Sequence, residues 1–263
     1  MPTPSEAKRS FVTKLRNRVP LFAVRPVIFF HIPKCGGSTV ARFLHKQYLP
    51  EHVFQIDGQN PKDSVEQFKS FSEEKRRSYR LVIGHAAQDL LDYVGSEWIS
   101  MTVLRDPIDR IVSHYYYAKR DSRHYLHGRI QDESIGLLDY VAKPLTREVQ
   151  NWHVTRFSEL DFSEVAADPQ RAIDLAFNFV TQRFQVVGFL DDLSAAMNRL
   201  GEIAGIQSRF QNGTYNKAKD RPKIEQVDAD VLQEITDLNS LDVEAPAKSV
   251  TVTRTSNEPI SES

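Results

Sequence analysis

VIFFHIPKCGGSTVARFL, residues 27–44, decides the fold. Residues 27–32 form an apolar, β-branched and aromatic run between Pro26 and Pro33, the pattern of a buried strand. Gly36 and Gly37 follow it. Lacking Cβ atoms, they let the backbone turn sharply and bring its N–H groups close to an anion. Ser38 and Thr39 are placed to open a helix through residues 41–47, and Lys34 sets a positive charge at the mouth of the turn. Strand, glycine loop with lysine and hydroxyls, then helix is the layout of a phosphate cradle, although the spacing is not GxxxxGK[ST].

A second segment, RDPIDRIVSHYYY at residues 105–117, starts where another apolar run, residues 99–104, stops. Asp106 has the chemistry of an N-cap and Pro107 suits the first helical position, so residues 108–119 are expected to be helical. In this order, PKCGGST after a strand and RDPxxRxxSxYY resemble the two nucleotide motifs of sulfotransferases that use 3′-phosphoadenosine 5′-phosphosulfate (PAPS). The closer resemblance is to the carbohydrate sulfotransferase group that includes heparan sulfate 2-O-sulfotransferase, and it runs over residues 27–242.

That resemblance implies one α/β domain, residues 26–242, with a central parallel sheet flanked by helices. It implies PAPS as sulfuryl donor without a metal, and a hydroxyl acceptor, which in that group is a carbohydrate or glycan. The 5′-phosphosulfate loop would comprise Lys34, Cys35, Gly36, Gly37, Ser38 and Thr39, and the 3′-phosphate anchor Arg105 with Ser113. Arg105 and Ser113 meet one phosphate only if their helix packs back across the strand end. The group carries a catalytic histidine in a Gly-His context between the two motifs, and His85 is the residue that matches. Lys34 and His85 are therefore the expected catalytic pair. His31 is the runner-up, a packed place at the strand end being its plainer account. Cys35 stands where relatives often have Thr, and Ser38-Thr39 reverses a common order, both with small polar side chains retained.

The 263 residues suffice for one α/β domain with a sizeable core, and 40% hydrophobic with 26% charged residues is the make-up of an ordinary globular chain. A net charge of −1 gives no overall attraction to nucleic acid, so a polyanion would have to meet a local basic patch. Cys35 is the single cysteine, which excludes an internal disulfide. With no apolar stretch of spanning length, the expected location is the cytoplasm. Residues 1–25 read as a basic extension and residues 243–263 as a disordered Ser/Thr/Glu/Pro-rich tail.

Between the motifs, residues 49–60 read as irregular, 64–77 as one polar helix, and 80–84 as a second strand ending at Gly84-His85. In open α/β sheets ligands bind beyond the carboxyl ends of strands, which suits a histidine there to chemistry. Residues 120–133 read as a polar insertion whose Arg120, Arg123 and Arg129 are expected to face the acceptor, with His124 and His127 solvated. Asn151 and Arg156 either line the acceptor side or serve as a cap and a surface ion pair. Helices are expected at 134–142, 169–180, 190–203 and 227–241, and a strand at 184–188. Lys217, Lys219 and Arg221 either close over the nucleotide or belong to a solvated linker.

Two other functions compete. One is a P-loop kinase, for which residues 186–191, VVGFLD, imitate a Walker B strand. The other is a binding protein of sulfotransferase type that keeps Lys34 and Arg105 but no base.

Overall fold

Alternate residues of Val27–Phe30 (β1) face opposite ways and all four are buried, so this strand lies at the centre of a sheet covered on both faces. The computed structural model describes residues 24–211 and 221–245. The basic extension up to residue 23, Lys217, Lys219 and the tail beyond residue 245 lie outside them. Val53–Gln55 (β2), Leu81–Gly84 (β3), Ile99–Leu104 (β4) and Val186–Phe189 (β5) complete a five-stranded, all-parallel sheet in the order β2-β3-β1-β4-β5. The protein is one α/β domain, as expected.

On one face, Ile28, Phe30 and Val82 pack with Phe157 of Trp152–Ser158 and Ala172 and Val180 of Pro169–Arg183. On the other, Val27, Phe29, Ile83 and Met101 pack with Val40 and Leu44 of Gly37–Leu44 and with Met197 and Leu200 of Leu193–Ala204. These helices are numbered in chain order: α1 Gly37–Leu44, α2 Pro61–Ser70, α3 Glu73–Ser78, α4 Pro107–Arg120, α5 His127–Asp132, α6 Leu137–Ala142, α7 Trp152–Ser158, α8 Phe162–Ala167, α9 Pro169–Arg183, α10 Leu193–Ala204, α11 Ala229–Leu238 and α12 Ser240–Glu244. A third cluster joins α4, α5, α6 and α11 through Ile111, Tyr115, Ile130, Tyr140 and Ile235. Among the described residues no helix is long and apolar enough to cross a membrane.

Several boundaries differ from the sequence reading. Residues 53–55, read as irregular, form the edge strand β2, whose Phe54 packs against Phe68, Phe71 and Tyr79. The single helix expected at 64–77 is two, because Phe71 takes an extended conformation and Ser72 caps α3 by accepting from the Lys75 N–H. The last helix breaks at Asn239, whose buried side chain bonds residues 149 and 151 instead of facing water. The insertion after α4 contains α5, closed onto the core by Ile130. Asp106 does cap α4, accepting from the Asp109 N–H at 3.0 Å, with Pro107 at the first helical position.

Candidate active site

The carboxyl ends of β3, β1 and β4 lie side by side and deliver His85, the glycine loop and Arg105 to one edge of the sheet. Lys34 has a left-handed backbone (φ 67°), a conformation that costs a non-glycine residue about 1–3 kcal/mol and persists only where its surroundings hold it. Arg105 does so by donating from Nη1 to the Lys34 carbonyl at 2.8 Å. The two cationic motif residues are thus tied together directly.

Gly36 (φ 78°) and Gly37 are required here for different reasons. Gly36 adopts the left-handed conformation that ends the loop, whereas a Cβ on Gly37 would lie 1.7 Å from Cδ2 of His31. The N–H groups of Gly36, Gly37 and Ser38 have no protein partner among the described residues, as at any exposed helix start, and α1 brings the positive end of its dipole to the same spot. The loop differs here from the sequence expectation in two details. The Cys35 N–H already bonds the Ile32 carbonyl and the Thr39 N–H that of Gly36, so neither is free for a ligand. The Cys35 side chain turns into the core beside the Pro33 carbonyl, where burial pushes its thiol up to about 12.

Arg105 is fixed at its other end by Asp109, with Nε to Oδ2 at 2.7 Å, and Arg221 pairs with the other oxygen of the same carboxylate. Asp109, Ser113 and Tyr117 follow at helical spacing on one face of α4. Ser113 therefore lies one turn beyond the carboxylate that holds Arg105, on the stripe facing the loop. Burial pushes the Lys34 ammonium down to about 8, and the charges of Arg105, Arg120 and Arg221 add to the effect. Burial likewise lowers Arg221 to about 10, with Arg105 contributing. A cluster of cations so crowded that they lower one another's proton affinity, beside free N–H donors, fits a multiply charged anion.

His85 Nδ1 lies 2.6 Å from the His31 carbonyl oxygen. A carbonyl can only accept, so Nδ1 carries the hydrogen and the neutral ring presents its lone pair at Nε2. The His31 ring stands 4.4 Å from the His85 ring, centroid to centroid, and is pushed down to about 3 by burial, then by His85 and Lys34. It is a neutral spacer between strand end and Gly37, the packed place that its position in sequence suggested.

Beside this edge a groove of about 290 Å³ opens, with Glu148, Trp152, Thr155, Arg156 and Phe162 among its walls. Burial pushes the Glu148 carboxyl up, but the His114 hydrogen bond at 3.0 Å and the charges of His114, Arg110 and His85 outweigh it and hold the group below its usual range. The buried Thr155 hydroxyl has no partner among the described residues. Arg156 reaches across to Asp89, in the segment that follows His85, at 3.1 Å. Asn151 does not line the groove; its side chain accepts from the N–H groups of Leu241 and Asp242 and so caps α12. Arg123 and Arg129 are held by Asp121 and Glu133 at 2.8 and 3.0 Å rather than turned towards an acceptor. His124 Nδ1 accepts from the Leu126 N–H, and His127 bonds the Ala118 carbonyl.

Lys34, His85 and Arg105, named from the sequence, lie at one edge of the sheet, and Tyr117, read there only as core or pocket wall, stands against Lys34; Asp109 and Glu148 were not named. The spacing of Asp109, Ser113 and Tyr117 along one helical face was the available signal for Asp109.

The class defined by this fold and cationic edge agrees with an independent comparison: residues 23–245 match the profile of the Sulfotransferase family. The chain belongs to that family. A search of characterised proteins returned no match.

Proposed function

We propose that this sulfotransferase uses PAPS as donor and a carbohydrate hydroxyl as acceptor, in the manner of the heparan sulfate 2-O-sulfotransferase group. The observation that carries the reading is the convergence of Arg105 and Arg221 on the carboxylate of Asp109, with Lys34 close enough to feel their charges and that of Arg120, at the mouth of a loop whose three N–H groups have no protein partner among the described residues. When bound, PAPS supplies the sulfuryl group and a bisphosphate leaving group.

Lys34 and the N–H groups of Gly36, Gly37 and Ser38 would take the charge that gathers on the 5′-phosphate side as the sulfur–oxygen bond breaks. Arg105 and Ser113, with Arg221 beside them, would hold the 3′-phosphate. That anchor distinguishes the nucleotide from one with an unmodified ribose. His85 Nε2 would receive the proton of the attacking hydroxyl while its Nδ1–H stays on the His31 carbonyl, so the ring cannot rotate as its charge changes. The groove supplies a carboxylate, a free hydroxyl, an arginine and an aromatic wall, a set suited to a polyhydroxylated acceptor.

The kinase alternative gains no support from the loop itself, which lacks the Gly-Lys-Ser/Thr sequence that such enzymes set against the phosphates. VVGFLD forms β5 and the turn after it at the sheet edge, where Leu190 packs beside Gly36. Incubation with ³⁵S-labelled PAPS and a panel of glycans, lipids and phenols tests the proposal. Label transferred to a glycan supports it, and label transferred only to another class refutes the carbohydrate assignment. A titration with no preference for adenosine 3′,5′-bisphosphate over AMP refutes the nucleotide assignment.

A further inference from the structure

Lys34 has no carboxylate partner among the described residues. Its ammonium instead stands 3.6 Å from the centroid of the Tyr117 ring, well within the range of a cation–π contact. The ring is itself braced. Its hydroxyl bonds Asp121, whose two oxygens are gripped by Arg123 at 3.0 and 2.8 Å, and the edge of His124 meets it at 5.4 Å. Tyr117 also lies on the Asp109–Ser113 stripe of α4, which faces the loop.

We infer that Tyr117 is a positioning residue for the loop lysine, its ring face holding the Lys34 ammonium at the mouth of the anion site against the repulsion of Arg105, Arg120 and Arg221. An ammonium has three N–H bonds and a ring face engages one side of it, so the other side stays available to an oxyanion. Without the ring the ammonium loses the contact that holds it against the three guanidinium groups, whose partner carboxylate, Asp109, is already engaged by Arg105 and Arg221, and the side chain swings towards solvent. Holding the lysine ready spares the reaction that reorganisation. The Asp121–Arg123 pair thereby acquires a purpose that its surface position does not suggest: it fixes the tilt of the ring.

The consequence for turnover rests on the sulfotransferase reading, whereas the contact itself does not, and the test separates them. In protein labelled with ¹³C-lysine, the Lys34 ε-CH₂ resonance, assigned by its loss in Lys34→Arg, is expected upfield of the other lysines through the ring current of Tyr117. An unshifted Lys34 resonance overturns the inference before any Tyr117 variant is made. Tyr117→Phe keeps the ring face but loses the hydroxyl bond to Asp121 that fixes its tilt, and is expected to retain most of the shift and to lower kcat less than Tyr117→Leu does. Tyr117→Leu is expected to abolish the shift and lower kcat about tenfold with acceptor KM unchanged. A lost shift with wild-type kcat overturns the positioning role. If no sulfuryl transfer is detectable in any form of the protein, the function fails, and the inference then stands or falls on the Lys34 shift and its response to adenosine 3′,5′-bisphosphate in Tyr117→Phe and Tyr117→Leu.

Discussion

Binding of adenosine 3′,5′-bisphosphate near pH 8 should draw a proton out of the buffer. Lys34 is held down to about 8 by burial and by Arg105, Arg120 and Arg221, so about half of the nucleotide-free molecules lack that proton at pH 8. A multiply charged anion placed among the same cations removes the repulsion and returns the group towards its ordinary 10.5. Uptake of about 0.5 proton per site at pH 8 follows. The protonated form is the one that binds well, so affinity is complete below the nucleotide-free pKa and is lost above it, falling about tenfold between pH 7 and pH 9. Stability of the nucleotide-free protein runs in the opposite direction. The folded chain binds fewer protons at Lys34 than the unfolded chain between about 8 and 10.5, so this group adds stability as pH rises through that window. Titration calorimetry in buffers of different ionisation enthalpy measures the proton directly. In Lys34→Arg the side chain keeps its charge and the uptake should vanish. No uptake near pH 8 in the wild type, or the same uptake in Lys34→Arg, would refute the reasoning.

Replacing His85 with Ala is expected to lower kcat by about 10²- to 10⁴-fold with nucleotide affinity nearly unchanged, measured by label transfer and by bisphosphate titration; wild-type turnover would reject it as the base. Gly37→Ala forces a Cβ to 1.7 Å from the His31 ring and should destabilise the fold by about 1–3 kcal/mol in denaturant titrations while weakening nucleotide binding. His31→Ala removes the obstacle, so the double variant should recover most of the loss, and a strictly additive double variant would show that the clash is not the cause. Asp242→Ala strands the N–H groups of His153 and Val154, which its buried carboxylate accepts at 3.0 and 2.8 Å, with an expected stability loss of about 1–3 kcal/mol. Thermal unfolding checks this, and an unchanged midpoint would mean that water replaces the cap.

The strands that carry the motifs were legible because their signals are local. β1 is an unbroken apolar run and β4 a largely apolar one, interrupted by Ser100 and Thr102, and both end at punctuation that the chain cannot ignore, Pro33 with two glycines in one case and Asp106-Pro107 in the other. β2 was not legible, since three residues set no periodicity and Val53–Gln55 is extended only because β3 offers it an edge. The same division holds at the site. Lys34, His85 and Arg105 stand out as polar residues that follow closely on apolar strands. The seat of Lys34 on Tyr117 depends on the direction its side chain leaves a left-handed backbone, which Arg105 enforces from a distant part of the chain. Asp242 was invisible for a like reason: an acidic residue near the end of a helix reads as solvated until the helix it caps, far back in sequence, is placed against it.

The bonds from Asn239 and Asp242 back to residues 149–154 set an order of events during synthesis. A ribosome can release all five strands and the nucleotide loop while the wall of the groove still lacks its brace. A chain halted short of Asn239 would therefore carry the sheet and the glycine loop while residues 149–154 still lack the bonds that fix them.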